Sequence, residues 1–496
     1  MKAKTIDERE RIMAEKWMNR TAPVSESEIP GKLGEECGVF GVSMAAKEAA
    51  GLTYNGLLAL QHRGQEGAGI AVLYNNSIRC IKDVGLTSEV FSGETLSQLP
   101  AANLAIGHVR YSTTGGNCFE NTQPIVKEYL KGRIAVAHNG NIVNGAEIKE
   151  RLESRGCDFT ATNDSEVIAT LIAYEALRSE NIEEAVVKAA RRLRGAFSLV
   201  ILSNQNKIIA LRDGWGFRPL CLGRSEQGLA VASESCALDS AGFEFVRDVV
   251  PGEMVVIEDG QLASSMVLKE KKQGLCIFEY VYFARPDSII DGVSVYQARF
   301  QAGKVLAREY PVEADVVCGV PDSGLEAALG YAAASGIPCV SGFVKNRYIG
   351  RSFIFPSQTQ REAAVRLKLN PLKANIKGKR VILVDDSIVR GTTSARIIKS
   401  LRQAGVAEVH MRVSSPPFRH TCHFGTDIDD EANLIANQIT VQELTQRIGA
   451  DSLGFISVEG LKEACTGCHV DFCTGCFTGD YPMEVGSHTK DQFETC

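Results

Sequence analysis

The chain has 496 residues, with 54 Lys+Arg against 60 Asp+Glu and a net charge of −6. That length fits two or three domains, and the charge balance leaves no global positive field for a nucleic acid or an anionic membrane. With 44% hydrophobic and 23% charged residues the composition is that of an ordinary globular chain, and no apolar run approaches the roughly 18 residues of a spanning helix.

Residues 1–36 read as a polar leader, with Ile12, Met13 and Trp17 at near-helical spacing before breaks at Pro23 and Pro30. From Cys37 the pattern changes to CGVFGV, GIAVLY, NLAIGHV and RIAVAHNG, which predict strands separated by glycine turns. Helices are expected at Ser165–Arg178 and Ile182–Leu193, followed by strands AFSLVILS, KIIALRD and GLAVASE, so sheet, helices and sheet share one domain over 37–265. The charged segment Gln261–Gly274 predicts a surface turn at a domain boundary. Beyond it ADVVCGVP and KRVILVDD alternate with helices around Leu325–Ser335 and Thr392–Ala404, the order of a doubly wound parallel sheet over 276–453. The tail, 454–496, carries CTGCHVDFCTGC. Fifteen Cys, an odd number, behind an N-terminus without an apolar signal segment predict a cytoplasmic chain with reduced thiols.

GEECGVFGV places a strand start at Cys37, directly after two carboxylates. Alone, such a cysteine reads as a buried structural thiol. The polar loops QHRGQEGAGI, GHVRYSTTG, HNGNIVN and TNDSE point elsewhere, because they offer groups suited to a small zwitterion. Removal of the leader would give Cys37 a free α-amino group with an ordinary pKa of about 8, so the nucleophile would carry its own base. His108 and His138 are the candidates for a Cys–His pair instead. An oxyanion asks for N–H donors, offered by a loop Asn139–Gly140. An α-carboxylate asks for a guanidinium and an α-ammonium for a carboxylate, which Arg110 and Asp164 supply. Together these pieces resemble the glutaminase domain of the N-terminal-nucleophile amidotransferases. The resemblance implies a four-layer αββα fold, attack by Cys37 on the side-chain amide of glutamine, and ammonia passed to an acceptor set by the second half.

VILVDDSIVRGTTS, residues 381–394, is an apolar strand ending in two carboxylates, then a loop that opens a helix. Gly391, Thr392, Thr393 and Ser394 suit a phosphate monoester at a helix N-terminus. Asp385 and Asp386 would repel phosphate and are placed better on ribose hydroxyls, directly or through Mg²⁺. GxxxxGK[ST] is absent, which argues against a P-loop NTPase. The run resembles the signature of type I phosphoribosyltransferases, which implies 5-phosphoribosyl 1-diphosphate (PRPP) as ligand. On that resemblance CGVPDSG, with Asp322, wraps the diphosphate and Ser323 helps place the metal. Residues 345–373 hold Lys345, Arg347, Arg351, Arg361, Arg366, Lys368 and Lys373 against Glu362 alone, either a solvated basic loop or a funnel for the diphosphate; the resemblance implies the latter, with Lys345 and Arg347 on the ligand.

The two halves in this order resemble the family of glutamine PRPP amidotransferases, some members of which carry a [4Fe–4S] cluster. That resemblance implies transfer of glutamine-derived ammonia to PRPP in purine synthesis, a homotetramer, inhibition by purine nucleotides, and Cys276, Cys422, Cys473 and Cys476 as cluster ligands. A second pair, Cys465 and Cys468, departs from the pattern and leaves open one Zn²⁺ on all four tail cysteines. A PRPP-sensing regulator without catalysis, or an amidotransferase with a sugar-isomerase acceptor domain, are the rival functions.

Overall fold

The structure, a computed structural model, describes residues 36–111, 116–346, 369–426, 428 and 430–485. The leader before Glu36, and Arg347, Arg351, Arg361, Arg366 and Lys368, lie outside the described residues.

The period-two apolar runs become two sheets packed face to face. The first has the order β11-β9-β10-β1-β4-β2-β3, from β1 (Gly38–Met44), β2 (Gly67–Tyr74), β3 (Ser77–Val84), β4 (Leu104–Arg110), β9 (Cys221–Ser225), β10 (Gly228–Ala232) and β11 (Glu244–Asp248). The second runs β13-β12-β8-β7-β6-β5, from β5 (Ile125–Tyr129), β6 (Gly132–Ile142), β7 (Gly195–Ser203), β8 (Lys207–Arg212), β12 (Glu253–Glu258) and β13 (Gln261–Met266). Alternation sends Val39, Ile106, Ala137 and Val200 into the seam between the sheets. Phe40 and Val42 point the other way, onto helix Ala49–Ala59, while Phe197, Leu199 and Ile201 meet helices Asp164–Ala176 and Ile182–Ala190. The layers are therefore helix, sheet, sheet, helix. Gly41 keeps the sheets close, since a Cβ there would stand 2.7 Å from Val200 Cγ1. The charged segment expected as a turn from Gln261 is a strand as far as Met266: β13 is an edge strand, so its mostly exposed, polar residues hide the alternation.

The second half holds a parallel sheet, β17 (Val316–Gly319), β20 (Arg380–Asp385), β21 (Glu408–Val413) and β22 (Ser452–Phe455), with Cys339 bridging Val317 at one edge. Val317, Ile382 and Val384 face helices Val295–Glu309 and Leu325–Ser335, and Val381 and Leu383 face helix Thr392–Gln403. The first two helices touch backbone to backbone: a Cβ on Gly330 would lie 1.8 Å from Phe300 O. The halves are stitched by two short parallel strands, β14 (Leu275–Cys276) and β23 (Phe472–Cys473).

Candidate active sites

Cys37 sits one residue before β1. Because Gly38 pairs with Val109, the register carries Cys37 beside Arg110 at the end of β4. Cys37 is buried, its Sγ lies 3.4 Å from Tyr111 O, and Arg110 and Asp164 are among the charges that act on it. Burial pushes its thiol up to about 11 in the chain that still carries Glu36. Asp164 opens helix Asp164–Ala176, capped by Asn163, and its Oδ2 accepts from Ile142 N at 3.1 Å, which fastens the helix start to the end of β6.

Asn139 and Gly140 were expected in a loop; they lie within β6, paired with Ser198 and Phe197 of β7. The glycine explains the misreading. Its φ of +143° is not that of a regular strand residue, and a Cβ there would fall 2.2 Å from Ala196 O. The Asn139 side chain is fully buried, and neither its Nδ2 nor its Oδ1 has a hydrogen-bond partner among the described residues. A buried amide left unpaired costs about 1–3 kcal/mol, so a group of the ligand is its natural partner.

The Cys–His alternative is not assembled. His108 Nε2 lies 3.0 Å from His138 O, and burial pushes that imidazole down to about 3. His138 Nδ1 meets Ser165 Oγ at 3.1 Å. Sequence reading also missed a buried charge network around Cys37. Arg63 donates through Nε to Cys37 O (3.0 Å) and bonds Glu234 (2.6 Å) and both oxygens of Glu279 (2.9 and 2.8 Å). Arg218 meets Glu36 (2.8 Å), whose other oxygen accepts from Thr426 Oγ1 (2.9 Å). Arg63 stood in QHRG, but a charge buried by distant elements looks the same in sequence as a surface one.

The segment around Cys422 packs on this site: a Cβ on Gly425 would lie 3.2 Å from Gly140 C, and Asn141 Nδ2 donates to His423 O (2.9 Å). The two halves therefore meet at the strand that carries Asn139 and Gly140.

In the second half, β20 ends at Asp385, and both Asp385 and the next residue, Asp386, are buried. Asp386 accepts from the hydroxyls of Ser323 and Ser387, which brings the CGVPDSG loop to the strand end. Gly391, at φ +73°, turns the chain into helix Thr392–Gln403. Ser394 is buried, and Thr393 Oγ1 is a buried hydroxyl with no partner among the described residues. Lys345 pairs with Asp322 at 2.5 Å in an exposed position. Arg347 falls outside the described residues.

Cys276, Cys422, Cys473 and Cys476 line one apolar cavity with Phe217, Phe278, Phe424, Tyr481 and Arg218. Among the described residues no three His, Cys, Asp or Glu side chains close on a single metal ion. A single tetrahedral Zn²⁺, with Zn–S of about 2.3 Å, would draw its thiolates together; a four-iron cube spaces them wider, since each binds its own iron. The zinc alternative on four tail cysteines is not assembled, because Cys465 and Cys468 do not line this cavity and Cys468 Sγ instead lies 3.7 Å from Tyr280 Oη.

Two sheets with a terminal-strand cysteine, joined to a parallel sheet ending in paired acids, define a glutamine amidotransferase coupled to a phosphoribosyltransferase. Comparison with known proteins agrees: the glutamine amidotransferase domain family matches residues 108–240 and the phosphoribosyl transferase domain family residues 296–417. The chain is 49% identical over 465 residues to the amidophosphoribosyltransferase of Methanocaldococcus jannaschii, covering 90% of this chain and 98% of that one. It is 46% identical over 468 residues to that of Bacillus subtilis, covering 93% and 97%. Among solved structures it superposes on the allosteric regulatory enzyme of purine biosynthesis with a TM-score of 0.87 at 45% identity, over 93% of this chain and 99% of that chain. It matches the glutamine PRPP amidotransferase of B. subtilis complexed with ADP and GMP at 0.85 and 46%, over 91% and 99%. The chain belongs to the amidophosphoribosyltransferase family, enzymes of purine biosynthesis. Among the described residues no helix is long and apolar enough to cross a membrane.

Proposed function

We propose that Cys37, freed by cleavage after Glu36, attacks the side-chain amide carbon of glutamine while its own α-amino group takes the thiol proton. Arg110 grips the α-carboxylate and Asp164 the α-ammonium. Asn139 Nδ2 and the Gly140 N–H face the developing oxyanion. Collapse expels ammonia and leaves a thioester on Cys37, which water hydrolyses to glutamate. Ammonia passes to the second half and displaces diphosphate from C1 of PRPP, giving 5-phosphoribosylamine. The observation that carries this reading is the buried Asn139 amide, unpartnered among the described residues, on a strand of the sheet packed against the one whose register sets Cys37 beside Arg110.

On the acceptor side, Gly391, Thr392, Thr393 and Ser394 take the 5-phosphate, Asp385 and Asp386 the ribose, and Asp322, Lys345 and Arg347 the diphosphate. Asp385, Asp386 and Ser323 are the residues that would hold Mg²⁺, whose chemistry is to neutralise the leaving diphosphate. The four cysteines of the apolar cavity fit a [4Fe–4S] cluster as a clasp between the halves. Cys473→Ser is expected to lose brown colour and both activities; a colourless anaerobic preparation with full activity would overturn the cluster. Purine nucleotides as inhibitors are supported by the B. subtilis relative solved with ADP and GMP; a homotetramer in the cytoplasm completes the reading.

Intact-mass measurement of the active enzyme tests the nucleophile. A chain beginning at Cys37 is expected. Material still bearing Met1 and fully competent with glutamine would overturn the mechanism.

A further inference from the structure

Three adjacent side chains before β5, Asn121, Thr122 and Gln123, are buried although all are polar. Strands β5 and β6 pair from Ile125↔Val136 outward. Continued by two residues, that register sets Gln123 opposite His138, but Pro124 has no N–H and the ladder stops. The Gln123 side chain takes over. Its Oε1 accepts from His138 N (2.7 Å) and its Nε2 points to His138 O (3.4 Å), so one carboxamide stands in for the missing peptide of β5. His138 O is also met by His108 Nε2 from the facing sheet (3.0 Å). The peptide just before Asn139 is thus fixed from two directions.

Asn121 does the equivalent for the other arm of the site. Its Nδ2 donates to Gly116 O (2.8 Å) and Thr162 Oγ1 (2.9 Å), its Oδ1 accepts from Thr162 N (2.8 Å), and its carbonyl accepts from Asn163 Nδ2 (2.9 Å). Gly116 O also receives Arg110 Nη2 (3.2 Å), and Asn163 caps the helix that begins with Asp164.

We infer that Asn121 and Gln123 are positioning residues with separate tasks: Gln123 holds the oxyanion donors of Asn139 and Gly140, and Asn121 holds the pair that grips the amino-acid backbone. This rests on the assignment of Asn139, Gly140, Arg110 and Asp164 given above. A misplaced oxyanion donor is felt only in the transition state and lowers kcat, whereas a misplaced grip weakens binding and raises KM.

The test is steady-state kinetics with glutamine and, separately, with free ammonia. Gln123→Met, which keeps the volume and removes the hydrogen bonds, is expected to lower glutamine-dependent kcat by about 10–100-fold with KM within about threefold. Asn121→Ala is expected to raise KM for glutamine by about tenfold or more, with kcat within about threefold. Ammonia-dependent synthesis stays within about twofold in both. Alkylation of Cys37 by iodoacetamide, a displacement that develops no carbonyl oxyanion, gives the second readout: Gln123→Met should alkylate at the wild-type rate. Wild-type kcat in Gln123→Met, equal loss of alkylation and turnover, or both variants moving the same constant would overturn the inference. Asn139→Ala serves as the reference. If that variant keeps its kcat, the oxyanion assignment itself falls; if it loses kcat while Gln123→Met does not, only the role of Gln123 falls.

Discussion

The two ends of this enzyme are built differently. At the proposed glutamine site Cys37, Arg110, Asn139 and Asp164 are all buried, on strands or at a capped helix start, with a carboxamide and a guanidinium tying the backbone beneath them. At the proposed phosphoribosyl site the side chains of Asp322 and Lys345 are 65% and 35% exposed, whereas Asp385 at the strand end is buried. A small, uncharged leaving group can be expelled inside a prebuilt enclosure whose donors already point inward. A diphosphate has to enter and leave, so the contacts proposed for it suit a position that solvent reaches.

The contrast is broken most severely at Cys37. Cys37→Ala should reduce glutamine-dependent synthesis by on the order of 10⁴-fold or more and leave ammonia-dependent synthesis standing; equal loss of both rates would show that the ends are not separable. Asn139→Ala should cost about 10²–10³ in glutamine-dependent kcat, read as hydroxamate or glutamate release. Asp386→Asn acts at the other end and should lower both glutamine- and ammonia-dependent synthesis by roughly 10–100-fold, the worth of a hydrogen bond to a charged group. A loss confined to the glutamine reaction would contradict its placement.

The smallest effect concerns the residue before the nucleophile. Burial lifts the Glu36 carboxyl from 4.5 to about 7, with Glu279 adding to the rise and Arg218, Arg63 and the Thr426 hydroxyl opposing it. A carboxyl whose folded pKa exceeds its unfolded one gains a proton on folding. Its destabilising contribution is therefore absent below about pH 4.5, grows as the pH rises and is full above about 7. In a Cys37→Ala chain that keeps its leader, the Tm should fall between pH 5 and 8, and adding Glu36→Gln should flatten that fall by on the order of a few °C. Identical melting profiles for the two chains would place Glu36 in water.

Much of this was legible in the chain itself. Helix Leu325–Ser335 has the bounds its pattern predicts, and helix Thr392–Gln403 opens where the Gly-Thr-Thr run says it should, because helix starts and strand ends are set by neighbours in sequence. The chemical types also stood in plain view, since Cys37 directly precedes a strand, Arg110 and Asn139 stand at the polar ends of apolar runs, and Asp164 opens a helix. The edge strand β13 did not read as a strand, because one exposed edge gives it no alternation to display. Asn139–Gly140 read as a loop, because Asn-Gly is a turn dipeptide unless a facing strand such as β7 claims it.

The order of residues alone determined the two domain types and placed Cys37 at a strand start and the paired acids at a strand end, because periodicity and local backbone chemistry act over a few residues. What the tertiary structure decided was which polar groups are buried together. Gln123 standing in for a strand, Arg63 joining Cys37 to Glu279, and Cys276 registering with Cys473 across about two hundred residues of chain all depend on sheet register and layer packing. Those join segments remote in sequence, and only there does desolvation turn an ordinary polar side chain into one that must have a specific partner.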